Sequence, residues 1–275
     1  MSNEGQKDYW NGAAGETWVE SQDRLDRLLA PFSDAAIERA EIKSGDRVVD
    51  VGCGCGTTSA ALAACGAAVW GIDISAPMLA HAKGRFKGTA NLAFSQTDAS
   101  TQNFTPDHQL LFSRFGVMFF DDPAGAFKNL RAALTPEGKL VFVCWQEAAK
   151  NQWLSIAGRA VQPFLPQPAT PAPAPNGPDP FAFADTNYVT GILNRSGFRD
   201  IHFESLTPKL HLADDLDGAI RFQTRVGPLA RVLAELHGEA RDKALDAARS
   251  ALAAHLTSEG LKLSSAAWMV TAKAA

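Results

Sequence analysis

The stretch that decides the fold of this chain is VVDVGCGCG, at residues 48–56. Its apolar start predicts a buried β-strand that ends at a glycine-rich turn, because glycine permits positive φ angles and a close approach of backbone to ligand. Residues 58–65 then predict an alanine-rich helix, and residues 68–72 predict a second strand, followed by Asp73. This strand–turn–helix–strand unit is typical of nucleoside-binding domains, in which the acidic side chain binds the ribose hydroxyls.

The turn itself indicates which nucleoside it binds. A dinucleotide-binding turn has the pattern GxGxxG and holds a diphosphate at the helix N-terminus. Here the glycines are Gly52, Gly54 and Gly56, and Thr57 stands where the third glycine of that pattern would be. Asp50 would repel a diphosphate, but it suits a ligand that carries an ammonium or sulfonium group. A nicotinamide-dependent oxidoreductase is therefore the less favoured alternative.

Composition indicates a globular protein of 275 residues, with 46% hydrophobic and 20% charged residues. The net charge is −4 and the basic residues are dispersed, which argues against a nucleic-acid partner. No apolar run reaches the roughly 20 residues of a membrane span, and the polar first residues do not resemble a signal peptide. We expect a cytoplasmic protein that does not enter a membrane.

The four cysteines do not have the spacing of metal ligands. Cys53 and Cys55 stand one residue apart in the turn, and no Cys-x-x-Cys pattern occurs in the sequence. We therefore expect no metal site.

Strand and helix patterns alternate along the first half of the chain, which predicts a parallel sheet with right-handed crossovers. The predicted strands are residues 47–51, 68–72, 92–96, 109–112, 139–145, 199–204 and 266–272.

Eight prolines lie between residues 162 and 180 and forbid helix and sheet interior there. We favour a lid or an edge excursion over a domain boundary for this segment. Residues 213–258 contain two amphipathic helical patterns. The simpler interpretation is that these helices pack against the core, and the alternative is that they cover a bound substrate.

Four motifs in order resemble those of class I S-adenosylmethionine (SAM) methyltransferases. They are residues 48–56, 71–79, 97–99 and 134–140. Residues 9–11, 113–120 and 268–272 resemble a bacterial branch of that superfamily that acts on small molecules.

The resemblance implies an α/β fold, a doubly wound seven-stranded Rossmann-like methyltransferase sheet whose last strand is antiparallel, with helical cap and lid insertions. It implies one methyltransferase domain over residues 1–275. Its parts are a helical cap (1–45), a SAM-binding core (46–146), a proline-rich lid (147–184) and C-terminal strands (185–275) with a helical cover (213–258).

The resemblance also implies which residues hold the methionine end of SAM. The backbone of Gly52, Cys53 and Gly54 would pass beside it, and Asp50 would help to hold the ammonium group directly or through water. Ser113 is similar to positions whose backbone meets the methionine carboxylate or ammonium.

The nucleoside end is assigned in the same way. Asp73 would accept two hydrogen bonds from the ribose, and Asp98 would meet the adenine amino group. The Ala99 N–H would face a ring nitrogen, while Ile74 and Met78 would sandwich the base.

Aromatic side chains are candidates for the rest of the pocket. Trp18 is predicted to touch the SAM region, together with Tyr9 and Trp10 of the cap. Candidates for the acceptor side are Phe119, Trp145, Phe181 and Phe183. Ordinary core packing is the equal alternative for each of these aromatic side chains.

We therefore predict a methyltransferase that moves the SAM methyl group to a small, largely apolar acceptor by in-line displacement and releases S-adenosylhomocysteine (SAH). No side chain is identified as a general base, and neither the acceptor nor the oligomeric state follows from the sequence. The main alternative is a protein that binds SAM as a sensor or scaffold without catalysis, and RNA methylation is disfavoured by the acidic balance.

Overall fold

The computed structural model describes residues 3–165 and 177–275. The strands are β1 (Arg47–Val51), β2 (Ala68–Asp73), β3 (Leu92–Gln96), β4 (His108–Arg114), β5 (Leu134–Trp145), β6 (Phe198–Leu206), β7 (Lys209–Ala213), β8 (Leu256–Thr257), β9 (Gly260–Ser264) and β10 (Ala267–Ala274). The α-helices are α1 (Glu4–Asn11), α2 (Ala13–Glu20), α3 (Gln22–Ala40), α4 (Thr57–Ala64), α5 (Ala76–Arg85), α6 (Pro123–Arg131), α7 (Gln152–Val161), α8 (Thr186–Arg195), α9 (Leu216–Gln223), α10 (Pro228–Ala234) and α11 (Gly238–Ala253).

The chain divides into two compact units, of which the larger comprises residues 1–145, 175–206 and 267–275. Its sheet has seven strands in the order β3-β2-β1-β4-β5-β10-β6. The pairs from β3 to β5 are parallel, and β10 runs antiparallel to both of its neighbours. The predicted doubly wound sheet with an antiparallel last strand is confirmed.

Helix starts in this unit follow the capping residues of the sequence. Asp122 and Asp185 cap α6 and α8 by accepting backbone N–H donors, and Ser75 caps α5 in the same way through the Met78 N–H. Helix α3 continues through Pro31. Phenylalanine side chains fill the core between sheet and helices, and those of Phe112 and Phe127 are fully buried.

The smaller unit comprises residues 146–174 and 207–266. It contains α7, α9, α10 and α11 with a three-stranded sheet in the order β7-β9-β8, which the sequence did not predict. Buried Asn151 ties the ends of this unit together, since its side chain donates to the Ala266 carbonyl and accepts from the Ala266 N–H, both at 2.9 Å. Part of the predicted lid (147–184), namely residues 166–176, lies outside the described residues.

In the described parts of the chain, no helix has the length and apolar character needed to cross a membrane.

The winding of the sheet reverses between β1 and β4. From β1 the chain moves outward to β2 and β3, and it then returns to place β4 on the other side of β1. In open α/β sheets the crevice at such a switch point, at the carboxyl ends of the strands, is the usual place for a ligand. The turns after β1 and β4 meet here, because a Cβ atom on Gly52 would lie 2.8 Å from the Gly116 Cα.

We expect Gly116→Ala to destabilise the fold through this contact. The added methyl group would lie 2.8 Å from the Val51 carbonyl oxygen and 3.0 Å from the Gly52 Cα, and neither backbone atom can move freely. Overpacking of this kind costs about 1–3 kcal/mol, which urea unfolding would measure. Gly84→Ala in α5 is the control, because its Cβ would meet nothing within 4 Å. Equal stability of the two variants would contradict this account.

Candidate functional site

The conformation of the glycine turn after β1 is fixed by positive φ angles and by backbone hydrogen bonds. Gly52, Gly54 and Gly56 have φ angles of 67°, 54° and 80°. The N–H groups of Gly52 and Cys53 both donate to the Ile72 carbonyl, at 2.9 and 3.1 Å, which joins the turn to the end of β2. A Cβ on Gly54 would have only the Met78 methyl group nearby, at 3.8 Å. The backbone at Gly54 is therefore the part of the turn with room for a ligand.

Asp50 lies beneath this turn and is fully buried. Its Oδ2 atom accepts hydrogen bonds from Thr58 Oγ1 at 2.8 Å and Ser59 Oγ at 2.6 Å, at the start of α4. Its Oδ1 atom has no hydrogen-bond partner among the described residues. Burial raises the pKa of Asp50 from 3.8 to about 6, although both hydroxyl groups oppose the shift.

Asp73 ends β2 and faces the turn, with its side chain partly exposed. Its Oδ2 atom accepts the Gly54 N–H and its Oδ1 atom accepts the Ser75 N–H, both at 2.8 Å. Burial raises the pKa of Asp73 above its ordinary value, against the effect of these backbone donors. The carboxylate is thus fixed in orientation and adjoins the open backbone of Gly54.

Ile74 and Met78 continue from Asp73 on the same side of the turn. Met78 is buried in the first turn of α5, and Ile74 is partly exposed. The Ile74 carbonyl accepts hydrogen bonds from the side chains of Asn11 and Gln96, at 3.0 and 3.1 Å. The segment after β2 is therefore tied both to α1 and to β3.

Asp98 is held by several donors after β3. Its Oδ1 atom accepts Ser100 Oγ at 2.6 Å, the Ser100 N–H at 3.0 Å and Asn3 Nδ2 at 2.9 Å. Lys7 Nζ lies 3.4 Å from Oδ2. Burial by itself would raise the pKa of Asp98, but Ser100, Asn3 and Lys7 together hold it below its ordinary value. The next residue, Ala99, is buried.

The remaining predicted residues lie on either side of the turn. Ser113 is buried near the end of β4, and its Oγ accepts the Gly116 N–H at 3.3 Å. Trp18 belongs to an aromatic group with Trp10 and Phe119, in which Trp10 meets each of the other two edge to face at 5.8 and 5.6 Å. Ser75 Oγ donates to the Trp10 carbonyl at 2.7 Å, so this group adjoins the segment after β2.

Sequence reasoning missed the polar residues that brace these carboxylates. Asn3 and Lys7 reach Asp98 from the N-terminal segment, and only the folded chain brings them there. Thr58 and Ser59 could have been found, because hydroxyl residues at a helix start commonly donate to a nearby carboxylate.

Two of the expected acceptor-side aromatics belong to the core. Trp145 stacks on Phe115 with ring centroids 3.9 Å apart and is 5% exposed, and Phe183 is fully buried. Trp145 and Phe183 thus agree with the alternative of core packing, because other rings pack against them.

Residues 48–138, which contain the glycine turn and all three carboxylates, match the family described as a methyltransferase domain. The resemblance to class I SAM-dependent methyltransferases is confirmed over these residues. Trans-aconitate 2-methyltransferase of Methylobacterium nodulans is 34% identical over 117 residues, 42% of this chain and 44% of that protein. Demethylmenaquinone methyltransferase of Clavibacter sepedonicus is 32% identical over 125 residues, 43% of this chain and 51% of that protein. The chain spans about half the length of these curated relatives.

A solved structure is similar to this chain at the level of the fold. Haemonchus contortus phosphoethanolamine N-methyltransferase 2, in complex with S-adenosyl-L-methionine, aligns with a TM-score of 0.58 and 19% identity. The alignment covers 100% of this chain and 60% of that one. The cofactor of the superfamily is SAM, in agreement with the expectation from the sequence.

Asp50 should make the stability of the chain depend on pH. The folded state retains a proton that the unfolded state releases between pH 3.8 and about 6, so the stabilising contribution of Asp50 is largest below this range and declines as pH rises through it. Asp50→Asn keeps an acceptor for the hydroxyl groups of α4 and removes the titration. We expect the unfolding free energy of the unmodified protein, minus that of the variant, to fall by about 2 kcal/mol from pH 4 to pH 7.

Urea unfolding at a series of pH values would measure this difference. All other titrating groups are common to the unmodified protein and the variant. The difference between their unfolding free energies therefore reports the titration of Asp50. A difference that stays constant across the range would show that Asp50 titrates near its ordinary value.

Proposed function

We propose that this protein is an enzyme that binds SAM at the turn after β1 and transfers its methyl group to a small, largely apolar acceptor. The observation that carries the proposal is the arrangement of Gly54 and Asp73. An open backbone lies beside a carboxylate whose two oxygens are already oriented by N–H donors. The family match of residues 48–138 supports SAM as the cofactor, and this arrangement supports Asp73 as the residue that binds its ribose.

The residues present fit a nucleoside that carries positive charge. The Oδ1 atom of Asp50 is buried without a partner in the described structure and is free to accept a hydrogen bond from an ammonium group. Asp73 can accept the ribose hydroxyls, and the segment Ile74–Met78 offers apolar surface to a base. A diphosphate would instead meet the negative charge of Asp50, which disfavours a nicotinamide cofactor.

When bound, SAM supplies an electrophilic methyl group on its sulfonium, so the chemistry of transfer belongs to the cofactor. The protein then has to orient donor and acceptor and to exclude water. Well-aligned proximity contributes roughly 7–11 kcal/mol in favourable systems. Residues 52–54 and Asp73 would fix the donor, and its position would set the line of attack.

The half-buried aromatic group of Trp10, Trp18 and Phe119 supports an apolar acceptor. It adjoins the segment after β2, and its rings meet edge to face. An aromatic face near a sulfonium would add about 0.5–2 kcal/mol of cation–π attraction. We infer that this group borders the reacting end of the pocket.

We further infer that the enzyme works in the cytoplasm on a small molecule and not on a nucleic acid. The four cysteines of the chain are free thiols, which suits a reducing compartment. The net charge of −4 does not favour a polyanionic partner.

The proposal is tested by titrating the full chain with SAM and with SAH in a calorimeter, and by following a labelled methyl group from SAM into a panel of small acceptors. We expect saturable heats with both nucleosides and transfer of label to at least one acceptor. Absence of heat with both would overturn the proposed cofactor site. Binding without transfer to any acceptor, in cell extracts included, would overturn the enzymatic role.

Asp73→Ala should weaken SAH binding by about tenfold or more, because hydrogen bonds to a charged group contribute roughly 1.5–3 kcal/mol each. The control is Asp107→Ala. Asp107 lies in the loop before β4, and its carboxylate pairs with Arg47 at the start of β1. That variant should bind SAH like the unmodified protein. Equal affinity of the two variants would remove Asp73 from the ribose site.

A further inference from the structure

The carboxylate of Asp98 is closed off from solvent by other residues of the chain. Its side chain is 8% exposed, and its Oδ2 atom is buried. Its Oδ1 atom accepts three hydrogen bonds, two from Ser100 and one from Asn3 Nδ2. The ammonium group of Lys7 lies 3.4 Å from Oδ2. A ligand can therefore reach this carboxylate only if one of these donors moves away.

The donors around Asp98 differ in how freely they can move. Ser100 follows Asp98 by two residues, so its hydroxyl and N–H groups stay close to the carboxylate. Asn3 lies 95 positions away in the sequence, and Lys7 belongs to α1. We call residues 3–11 the α1 segment. This segment can leave Asp98 without any change in β3.

The Asn3 side chain makes the pair of hydrogen bonds that the amino edge of adenine would make. Its Nδ2 atom donates to Asp98 Oδ1 at 2.9 Å, and its Oδ1 atom accepts the Asp121 N–H at 3.0 Å. Adenine presents the same combination, because its amino donor lies beside a ring nitrogen that accepts. Asn3 is 4% exposed, so its amide is an internal occupant of the place that the resemblance gives to the base.

Helix α1 is attached to the site by polar contacts. None of its residues, Glu4–Asn11, is buried. The Asn11 side chain donates to the Ile74 carbonyl at 3.0 Å and accepts the Ala76 N–H at 2.8 Å, and the Trp10 carbonyl accepts Ser75 Oγ at 2.7 Å. Water can replace partners of this kind, so each such hydrogen bond contributes little net stability. The contacts orient α1 but do not fix it in place.

The next helix is packed much more tightly. Gly15 of α2 is buried, and a Cβ atom on it would lie 3.0 Å from Ser75 Oγ and 3.1 Å from Pro77 Cγ at the start of α5. Gly12 separates the two helices with an extended backbone, at φ −92° and ψ −156°. Gly12 is therefore the point about which α1 can turn while α2 stays in place.

We infer that the α1 segment is autoinhibitory: Asn3 and Lys7 compete with the adenine of the cofactor for Asp98, and binding of the cofactor displaces α1 by movement about Gly12. This inference rests on the proposed function and on Asp98 as the partner of the adenine amino group. It adds to them an internal competitor, whose hold on Asp98 lowers the affinity of the site for the cofactor.

Amide hydrogen exchange of the full chain, measured with and without saturating SAH, tests the displacement. We expect residues 3–11 to exchange several-fold faster with SAH bound, while residues 52–56 exchange more slowly. Slower exchange of residues 3–11 would overturn the inference, because α1 would then cover the bound nucleoside. Unchanged exchange of residues 3–11 at saturation would overturn it as well.

Calorimetric titration of variants tests the competition. Asn3→Ala removes both hydrogen bonds of the internal amide and should bind SAH about 3- to 10-fold more tightly, the range for a lost hydrogen bond that opposes the ligand. Lys7→Met removes the cation and should act in the same direction. Asp8→Ala is the matched control, because Asp8 is exposed in the same helix, and it should leave the affinity unchanged.

Equal or weaker binding of SAH by Asn3→Ala and Lys7→Met would overturn the inference, since these side chains would then support the site. If one variant does not fold in a urea titration, the affinity of the other decides the question. An unmodified protein that does not bind SAH at all would refute the proposed cofactor site. One that binds SAH while residues 3–11 become protected would refute only the competition.

Discussion

The close approach of two backbone turns governs the candidate site. Gly52 follows β1 and Gly116 follows β4, and there is no room for a side chain between them. Because β1 and β4 flank the point where the winding reverses, this contact determines how the switch-point crevice is shaped. Gly54, only two residues further, remains open to a ligand. The same short turn therefore contains a closed side and an open side.

Three carboxylates lie at or just after the carboxyl ends of β1, β2 and β3, and their surroundings differ. Asp50 is fully buried and bound by hydroxyl groups, so burial raises its pKa. Asp73 is oriented by backbone N–H groups at the end of β2. Asp98 is surrounded by donors, including the cation of Lys7, and its pKa is lowered. Three aspartate side chains thus differ in pKa because they differ in burial and in the hydrogen-bond donors that face them.

The carboxylate of Asp50 is buried and incompletely satisfied. A buried charge without a full set of partners is costly, and such groups are frequent at functional sites. The Asp50 Oδ1 atom has no hydrogen-bond partner among the described residues, which supports Asp50 as part of the candidate site.

Local sequence was sufficient for the sheet because each of its strands carries its own signal. The apolar run before Gly52, the period of the following helices and the caps at Ser75 and Asp122 depend only on neighbouring residues. The small sheet of β7, β8 and β9 was not predicted, since β7 and β9 pair across some fifty residues and β8 has only two residues.

The sequence by itself determined the order of the strands' motifs, the glycine turn and the acidic residues at the strand ends, because these are properties of short segments. Only the tertiary structure decided that Asn3 and Lys7 reach Asp98 and that Trp145 is covered by Phe115. Those contacts join residues that are distant along the chain. Their geometry depends on sheet register and helix packing, which no local pattern encodes.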